Sequence, residues 1–134
     1  MSEARPISPP DSTTQAWWDA TKKRTLLVQR CKTCSHMQHY PRALCTACAS
    51  TDLEDFQASG LGRVYSFTVV HRAPHPAFEP PYVVALVRLD EGPVLMSNIT
   101  GCPPEDVRCD MLVGVTWEDL PDGRRLPLFM PAGG

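Results

Sequence analysis

Four cysteines in two matched pairs carry the clearest chemistry in this chain: Cys31-x2-Cys34 and Cys45-x2-Cys48, separated by ten residues. Each pair sets two thiolates on one tight turn, and four sulfurs complete the tetrahedral shell of zinc with no position left for substrate or water. Such a closed site is structural. Only Met37, Tyr40 and Leu44 are large and apolar between the pairs. Backbone ordering costs roughly 1–2 kcal/mol per residue, which so small a cluster does not offset. Metal binding, on the order of 10 kcal/mol in comparable peptides, does. Two disulfides would need an oxidising compartment, and a redox CxxC would need a βαβ setting that the sequence lacks. Iron takes the same four ligands, so the spacing alone leaves zinc and iron both open. With four thiolates saturating the metal, His36 and His39 are expected as exposed loop residues, and Cys102 and Cys109 as ordinary core or loop thiols.

No comparable constellation exists for catalysis. The chain has no G-x-S-x-G elbow, H-E-x-x-H pair or phosphate-binding loop, so no residue is assigned a catalytic role. Asp90-Glu91 precede Gly92-Pro93 and read as turn carboxylates. His71 and His75 flank a proline loop, and a histidine can serve as acid or base near neutral pH, yet loop histidines are commonly just solvated. Lys22, Lys23 and Arg24, with Arg30, Lys32 and Arg42, are the candidates to face an anionic cofactor. Phe78 sits among four prolines between His71 and Pro81, in a stiff loop from which it does not easily reach a core. A preordered loop loses little entropy on docking, so Phe78 is a candidate partner contact.

The elements that must position these groups are legible in outline. Ser12-Thr13-Thr14-Gln15 has the form of a capping box, predicting a helix from about Thr13 to Arg24 with cations at its C-terminal end. Trp17 and Trp18 lie mid-helix, where one narrow stripe cannot hold both; one docks on the body and the other is available to a partner. Thr25–Gln29 is expected as a strand leading into the first cysteine pair. Beyond Leu53 come short β runs: Val64–Val70, with Tyr65 and Phe67 expected inward, Tyr82–Leu89, Val94–Ile99, Val113–Glu118 with Trp117 inward, and Leu126–Met130. Tyr82–Leu89 is almost continuously apolar, as in strands buried on both faces. A one-turn helix fits Pro104–Val107. Five strands with glycines for corners predict a small Greek-key barrel of the OB type. The organisation is therefore mainly β: a leader and N-terminal helix (1–24), a rubredoxin-like zinc ribbon (25–52) and a five-stranded OB-fold barrel (53–134).

Fourteen prolines in 134 residues are about twice the usual share and favour strands joined by stiff loops. Net charge is −2, and residues 59–134 alone carry −3, a field opposing a polyanion. That argues against nucleic acid, although OB barrels do bind single strands through basic grooves and stacked aromatics. The first ten residues lack the apolar stretch of a signal peptide, and no run approaches the roughly 20 apolar residues of a membrane helix. A cytoplasmic location without membrane contact is expected.

With ribbon and barrel in place, the chain resembles the acyl-CoA-associated zinc-ribbon/OB-fold proteins, formerly a domain family of unknown function. The matching stretches are Leu27-Val28-Gln29-Arg30-Cys31-Lys32-Thr33-Cys34, Tyr40-Pro41-Arg42, Gly60-Leu61-Gly62-Arg63-Val64-Tyr65-Ser66-Phe67-Thr68-Val69-Val70-His71, Pro81-Tyr82-Val83-Val84-Ala85-Leu86-Val87, Leu89-Asp90-Glu91-Gly92-Pro93 and Leu126-Pro127-Leu128-Phe129. They run in family order over nearly the whole chain. Ser35 and Ala49 depart from it, standing where ribbons commonly place glycine; a left-handed backbone there would be mildly strained. The resemblance implies a non-catalytic subunit of thiolase-superfamily enzymes or lipid-transfer-protein-like aldolases. Such a subunit shapes the acyl-CoA channel of its partner, with steroid side-chain or lipid breakdown as the setting. Its rivals are a free-standing acyl-CoA-binding module and a single-strand nucleic-acid binder.

Overall fold

The computed structural model describes residues 9–72 and 80–132; Phe78 and His75 lie outside the described residues. A short helix, α1 (Gln15–Thr21), leads into a ribbon sheet of β1 (Leu27–Cys31), β2 (Met37–Gln38) and β3 (Leu53–Gln57). The second body consists of β4 (Leu61–Val70), β5 (Tyr82–Leu89), β6 (Val94–Ile99), β7 (Leu112–Asp119) and β8 (Arg125–Pro131), with a 3-10 turn at Pro104–Asp106.

The helix is shorter than the capping box predicts. Asp11 Oδ1 accepts the Thr13 and Thr14 amides, both at 2.9 Å, while Thr14 Oγ1 accepts the Asp11 amide at 3.0 Å. This reciprocal pair lies one residue earlier than Ser12 and Gln15; the Thr14 amide closes a turn on the Asp11 carbonyl at 3.2 Å, and the α-helix proper runs from Gln15. At the other end Arg24 takes a left-handed backbone, φ 55°, which stops the helix before the cations. Lys22 is therefore the C-cap, and Lys23 and Arg24 lie beyond the helix.

β1 is the centre of the ribbon sheet, antiparallel to β2 on one side and β3 on the other. The strand at Leu53–Gln57, read from the sequence as part of the barrel segment, pairs along its whole length with β1, from Leu27↔Gln57 to Cys31↔Leu53. The ribbon sheet thus reaches Gln57.

The other five strands close into a barrel in the order β4-β5-β6-β8-β7. Every neighbour is antiparallel except β6 and β8, which meet in parallel at the single pair Ile99↔Phe129. This is the Greek-key arrangement of an OB barrel. Alternation fixes the inward set: Val83, Ala85, Val87 and Leu89 of β5 are buried with Val64, Leu95, Val113 and Phe129. Leu26, Val28 and Ala58 of the ribbon join the same core, so ribbon and barrel share one apolar interior.

Two sequence expectations need correction. Tyr65 points outward, half exposed, with the Arg88 guanidinium 4.6 Å from its ring centroid. A register shift between Val64 and Ser66 inserts an extra residue opposite β5 and reverses the alternation there. Val64, not Tyr65, fills the core. β5, in turn, is fully buried on one face only; Val84 and Leu86 on its other face are half-buried. Phe67 and Trp117 are partly buried and pack on the core.

Two glycines are required by close approach. A side chain at Gly62 would place its Cβ 2.5 Å from the Arg88 carbonyl oxygen, and one at Gly60 2.6 Å from Val115 Cγ1. Both sit at the entrance to β4, where the ribbon chain passes into the barrel. Gly60 also has φ +84°, the left-handed region that favours glycine.

Candidate metal centre

The two cysteine turns are built alike. Ser35 N–H donates to the Cys31 carbonyl at 2.8 Å, and Ala49 N–H to that of Cys45 at 2.9 Å. Amides also point at sulfur: Cys34 N to Cys31 Sγ and Ala47 N to Cys45 Sγ, both 3.4 Å. Closing each turn drives Ser35 and Ala49 into left-handed geometry, φ 66° and 63°, as the missing glycines foretold. That conformation costs a side-chain-bearing residue about 1–2 kcal/mol. Ala49→Gly is expected to raise the stability of the metal-loaded chain by about 1 kcal/mol, read as a higher Tm by calorimetry. An unchanged or lower Tm would show that the turn is not strained.

The four Sγ atoms lie within 4.8 Å of one another. Cys31–Cys48 and Cys34–Cys45 are each 3.6 Å apart, close to the edge of about 3.8 Å that a tetrahedron with Zn–S of about 2.3 Å requires. None of the four is in a disulfide. Thiols this close do not ionise independently. The Cys34 amide above all draws Cys31 down to about 6. Burial opposes ionisation of Cys45, but the Cys48 and Ala47 amides outweigh it and lower it too. The Ser50 amide favours the Cys48 thiolate, yet neighbouring Cys34, burial, and Cys31 and Cys45 push it up to about 12. A bound dication removes this conflict, because all four sulfurs then carry charge toward one centre. The donor set fits zinc, and Cys31, Cys34, Cys45 and Cys48 hold it as a structural ion. It supplies a cross-link between the turns.

A polar network braces the segment between the turns. Gln38 Nε2 donates to Gln29 Oε1 at 2.7 Å and to the Leu44 carbonyl at 3.2 Å, while its Oε1 accepts the Thr46 amide at 3.0 Å. Gln29 Oε1 also accepts the Arg42 amide at 3.0 Å. These glutamines were invisible as a pair in the sequence, because their meeting depends on the β1–β2 register Gln29↔Gln38.

His39 overturns the expectation of an exposed loop residue. It is 8% exposed, with ring centroids 5.8 Å from Trp17 and 4.6 Å from Tyr40. Burial lowers its pKa to about 4, so the imidazole is neutral. The physical reason is α1, which lays Trp17 over the ribbon. His36 is half-buried rather than exposed, its Nε2 3.1 Å from Thr46 Oγ1.

Trp17 is the docking tryptophan: its indole N–H donates to the Leu27 carbonyl at 3.1 Å. Trp18 is half-buried, edge-on to Trp17, with the Arg124 guanidinium 4.5 Å from its ring centroid. Thr21, fully buried, fastens the helix to the barrel; its hydroxyl donates to the Trp18 carbonyl and accepts the Arg125 amide. Arg125 also donates to the Lys22 carbonyl.

The candidate cations are dispersed. Lys22, Lys23 and Arg24 are exposed around the helix end, with Lys22 3.9 Å from Asp19. Arg30 is exposed on β1 opposite Glu54 of β3, and Lys32 and Arg42 are exposed on the ribbon loops. Glu91 has a structural task, accepting the Ser59 amide at 2.9 Å where the ribbon chain enters the barrel. Among the described residues no helix is long and apolar enough to cross a membrane.

Comparison with known proteins agrees with this architecture. The chain matches the model of the rubredoxin-like zinc ribbon domain of ChsH2 over residues 18–54 and that of the ChsH2 C-terminal OB-fold domain over 56–118. It is 44% identical over 116 residues to a probable enoyl-CoA hydratase alpha subunit of Thermomonospora curvata, covering 87% of this chain and 36% of that one. It is 35% identical over 118 residues to the 3-oxo-4,17-pregnadiene-20-carboxyl-CoA hydratase alpha subunit of Mycobacterium tuberculosis, covering 88% and 37%. The chain therefore spans little more than a third of these two relatives. A DUF35 domain-containing scaffold protein of Methanocaldococcus jannaschii is 36% identical over 116 residues, with 81% of this chain and 82% of that one covered. Among solved structures, a chain of the Ltp2-ChsH2(DUF35) aldolase superposes with a TM-score of 0.85 at 40% identity, covering 95% of this chain and all of the other. A tetrathiolate ribbon fused through a shared core to an OB barrel, matched in order by these proteins, places the chain in the DUF35 family of zinc-ribbon/OB-fold proteins.

Proposed function

We propose that this chain is a non-catalytic accessory subunit of an enzyme acting on acyl-CoA, with a lipid-transfer-protein-like or thiolase-like partner supplying the reacting groups. The observation that carries this reading is the end-to-end likeness to the DUF35 chain of an aldolase complex. The chain's own residues agree with it. The one ordered cluster of reactive side chains among those described is a closed metal site, which by its chemistry offers no open coordination position. Asp90 and Glu91 serve a turn.

Aldol cleavage of a CoA ester, in steroid or lipid side-chain breakdown, is the favoured reaction. The steroid-CoA name of the mycobacterial relative supports the substrate class. In this reading the chain borders the partner's CoA-ester channel, and Trp18 and Phe78 are the candidate contacts with the partner. Zinc keeps the ribbon rigid enough to present that surface. The cytoplasm, where such CoA esters are handled, is the proposed location.

A second reading is suggested by the hydratase alpha subunits, whose matched third is this same architecture: the chain then serves a hydratase assembly. Co-expression with a lipid-transfer-protein-like enzyme from the same genome tests the first. A stable complex is expected, with retro-aldol release of the acyl-CoA product at least about tenfold faster than from either protein alone. Absence of a complex would reject it. Tight binding of CoA esters by the isolated chain would favour the free-standing module instead, and oligonucleotide binding that weakens steeply with salt would favour the nucleic-acid reading.

A further inference from the structure

β5 has the sequence of a strand covered on both faces, yet within this chain only its inner face is fully buried. Its outer face continues across β4 and β6: Leu86 lies opposite Ser66 and Met96, and Val84 opposite Thr68 and Asn98. Val84 and Leu86 are half-buried, while Met96 and Tyr65 are 63% and 54% exposed. A sheet face that meets only water is ordinarily polar. This one carries an apolar strip, and the three strands contain no Asp, Glu or Lys.

The two charges of these strands, Arg63 and Arg88, stand directly opposite one another. Like charges so placed destabilise a strand pair. Each is held by a neutral group: the Arg88 guanidinium lies 4.6 Å from the Tyr65 ring centroid, and Arg63 Nη1 donates to the Asp110 carbonyl at 2.9 Å. Neither forms an ion pair among the described residues, Asp90 and Asp110 of the adjoining turns included. A guanidinium stacked on a ring keeps its N–H fork in plane for a carboxylate. Two ordered positive charges are thus left uncompensated at one end of the apolar strip.

Exposed Tyr, Met and Arg without Lys, Glu or Asp is the composition of an interface centre. We propose that this face is where the lipid-transfer-protein-like enzyme docks, through an apolar patch of its own that brings a carboxylate against Arg63 and Arg88. The inference rests on the accessory-subunit reading and names the surface that the reading leaves open. A second copy of this chain does not fit. A two-fold contact sets the patch against itself, and its strands offer the arginines no carboxylate. A polyanion would meet the −3 charge of residues 59–134. At Met96 the face runs on to Tyr40, whose hydroxyl accepts the Met96 amide at 3.4 Å. Trp18, the contact proposed above, borders the same recess as Tyr40 and Met96, so docking here is continuous with it.

The test measures, by calorimetry, binding of the zinc-loaded full chain to the lipid-transfer-protein-like enzyme of the same genome. Arg88→Glu and Met96→Asp are each expected to weaken binding at least about thirtyfold, as hot-spot positions do. Leu44→Asp, at an exposed apolar position on the ribbon, should change it less than about threefold. Folding is read separately. Arg88→Glu sets a carboxylate opposite Arg63, so its thermal midpoint should equal or exceed that of the parent chain. Should either face variant fold poorly, Arg88→Ala takes its place, with an expected weakening of about tenfold. Undiminished binding by the face variants, or a loss confined to Leu44→Asp, overturns the docking face and leaves the accessory-subunit reading intact. Absence of any complex with the parent chain rejects that reading and this inference together. Dimerisation of the isolated chain that Met96→Asp abolishes assigns the face to a second copy and likewise overturns the proposal.

Discussion

Replacing Cys45 with serine is expected to abolish stoichiometric zinc and unfold the ribbon, with a loss of stability on the order of 10 kcal/mol in metal-binding free energy. Cys45 is buried, 3% exposed, and sits 3.6 Å from Cys34 in the sulfur cluster. Serine keeps the size but not the soft anionic ligand, so three thiolates remain around a poor fourth donor. The loss does not stay local. β1 carries Val28 and Cys31, and Leu26, Val28 and Ala58 belong to the same core as the barrel strands. Elemental analysis should read well under one zinc per chain, and near-ultraviolet circular dichroism should lose the tryptophan signal of the edge-on Trp17–His39 pair. One full zinc per chain and an unchanged thermal midpoint would refute the structural assignment of the metal.

Phe129→Ala is expected to cost about 3–5 kcal/mol, lowering the thermal midpoint by more than about 10 °C in a chain of this size. Phe129 is fully buried and stands at the closure of the barrel, opposite Val115 of β7 and Ile99 of β6. Its carbonyl accepts the Thr100 amide at 2.8 Å, a bond an alanine would preserve, so the measured loss reports packing. The site cannot collapse easily. Its neighbours are held by ladders on both sides, and such cavities remain largely open. Met130→Ala, the adjacent and exposed position, should change stability by about 0.5 kcal/mol or less. Chemical denaturation of both variants settles the comparison, and equal effects would show that Phe129 is not a core residue.

What was readable in advance divides by distance along the chain. The metal site is a local device: ligand type and spacing lie within 18 residues, and even the strained Ser35 and Ala49 turns followed from the absent glycines. Strand alternation gave the barrel, since one buried face imposes a period of two. The bulge at Val64/Ser66 defeated that rule for Tyr65, because one inserted residue exchanges the faces. The capping error was of the same kind: two adjacent sets of capping side chains compete, and Asp11 with Thr14 prevailed. The burial of His39 is hidden from the sequence for a different reason. Its burial is conferred by a helix some twenty residues earlier, and the partnership of β1 with β3 is equally remote. No window of sequence contains both halves of such contacts.

The hydroxyl of Thr21 and the amide of Arg125 meet across 104 positions of the chain. Contacts of such long range are slow to form, because the intervening chain must be brought together before the contact rewards it. On a ribosome, where the amino-terminal part emerges first, Trp17 meets its ribbon partners Leu27 and His39 early, but Thr21 and Trp18 have no barrel partner until Arg124 and Arg125 have left the exit tunnel. Latching of the helix onto the barrel is therefore a late event of assembly, and a nascent chain stalled before Arg124 should still present Trp18 to chaperones and proteases.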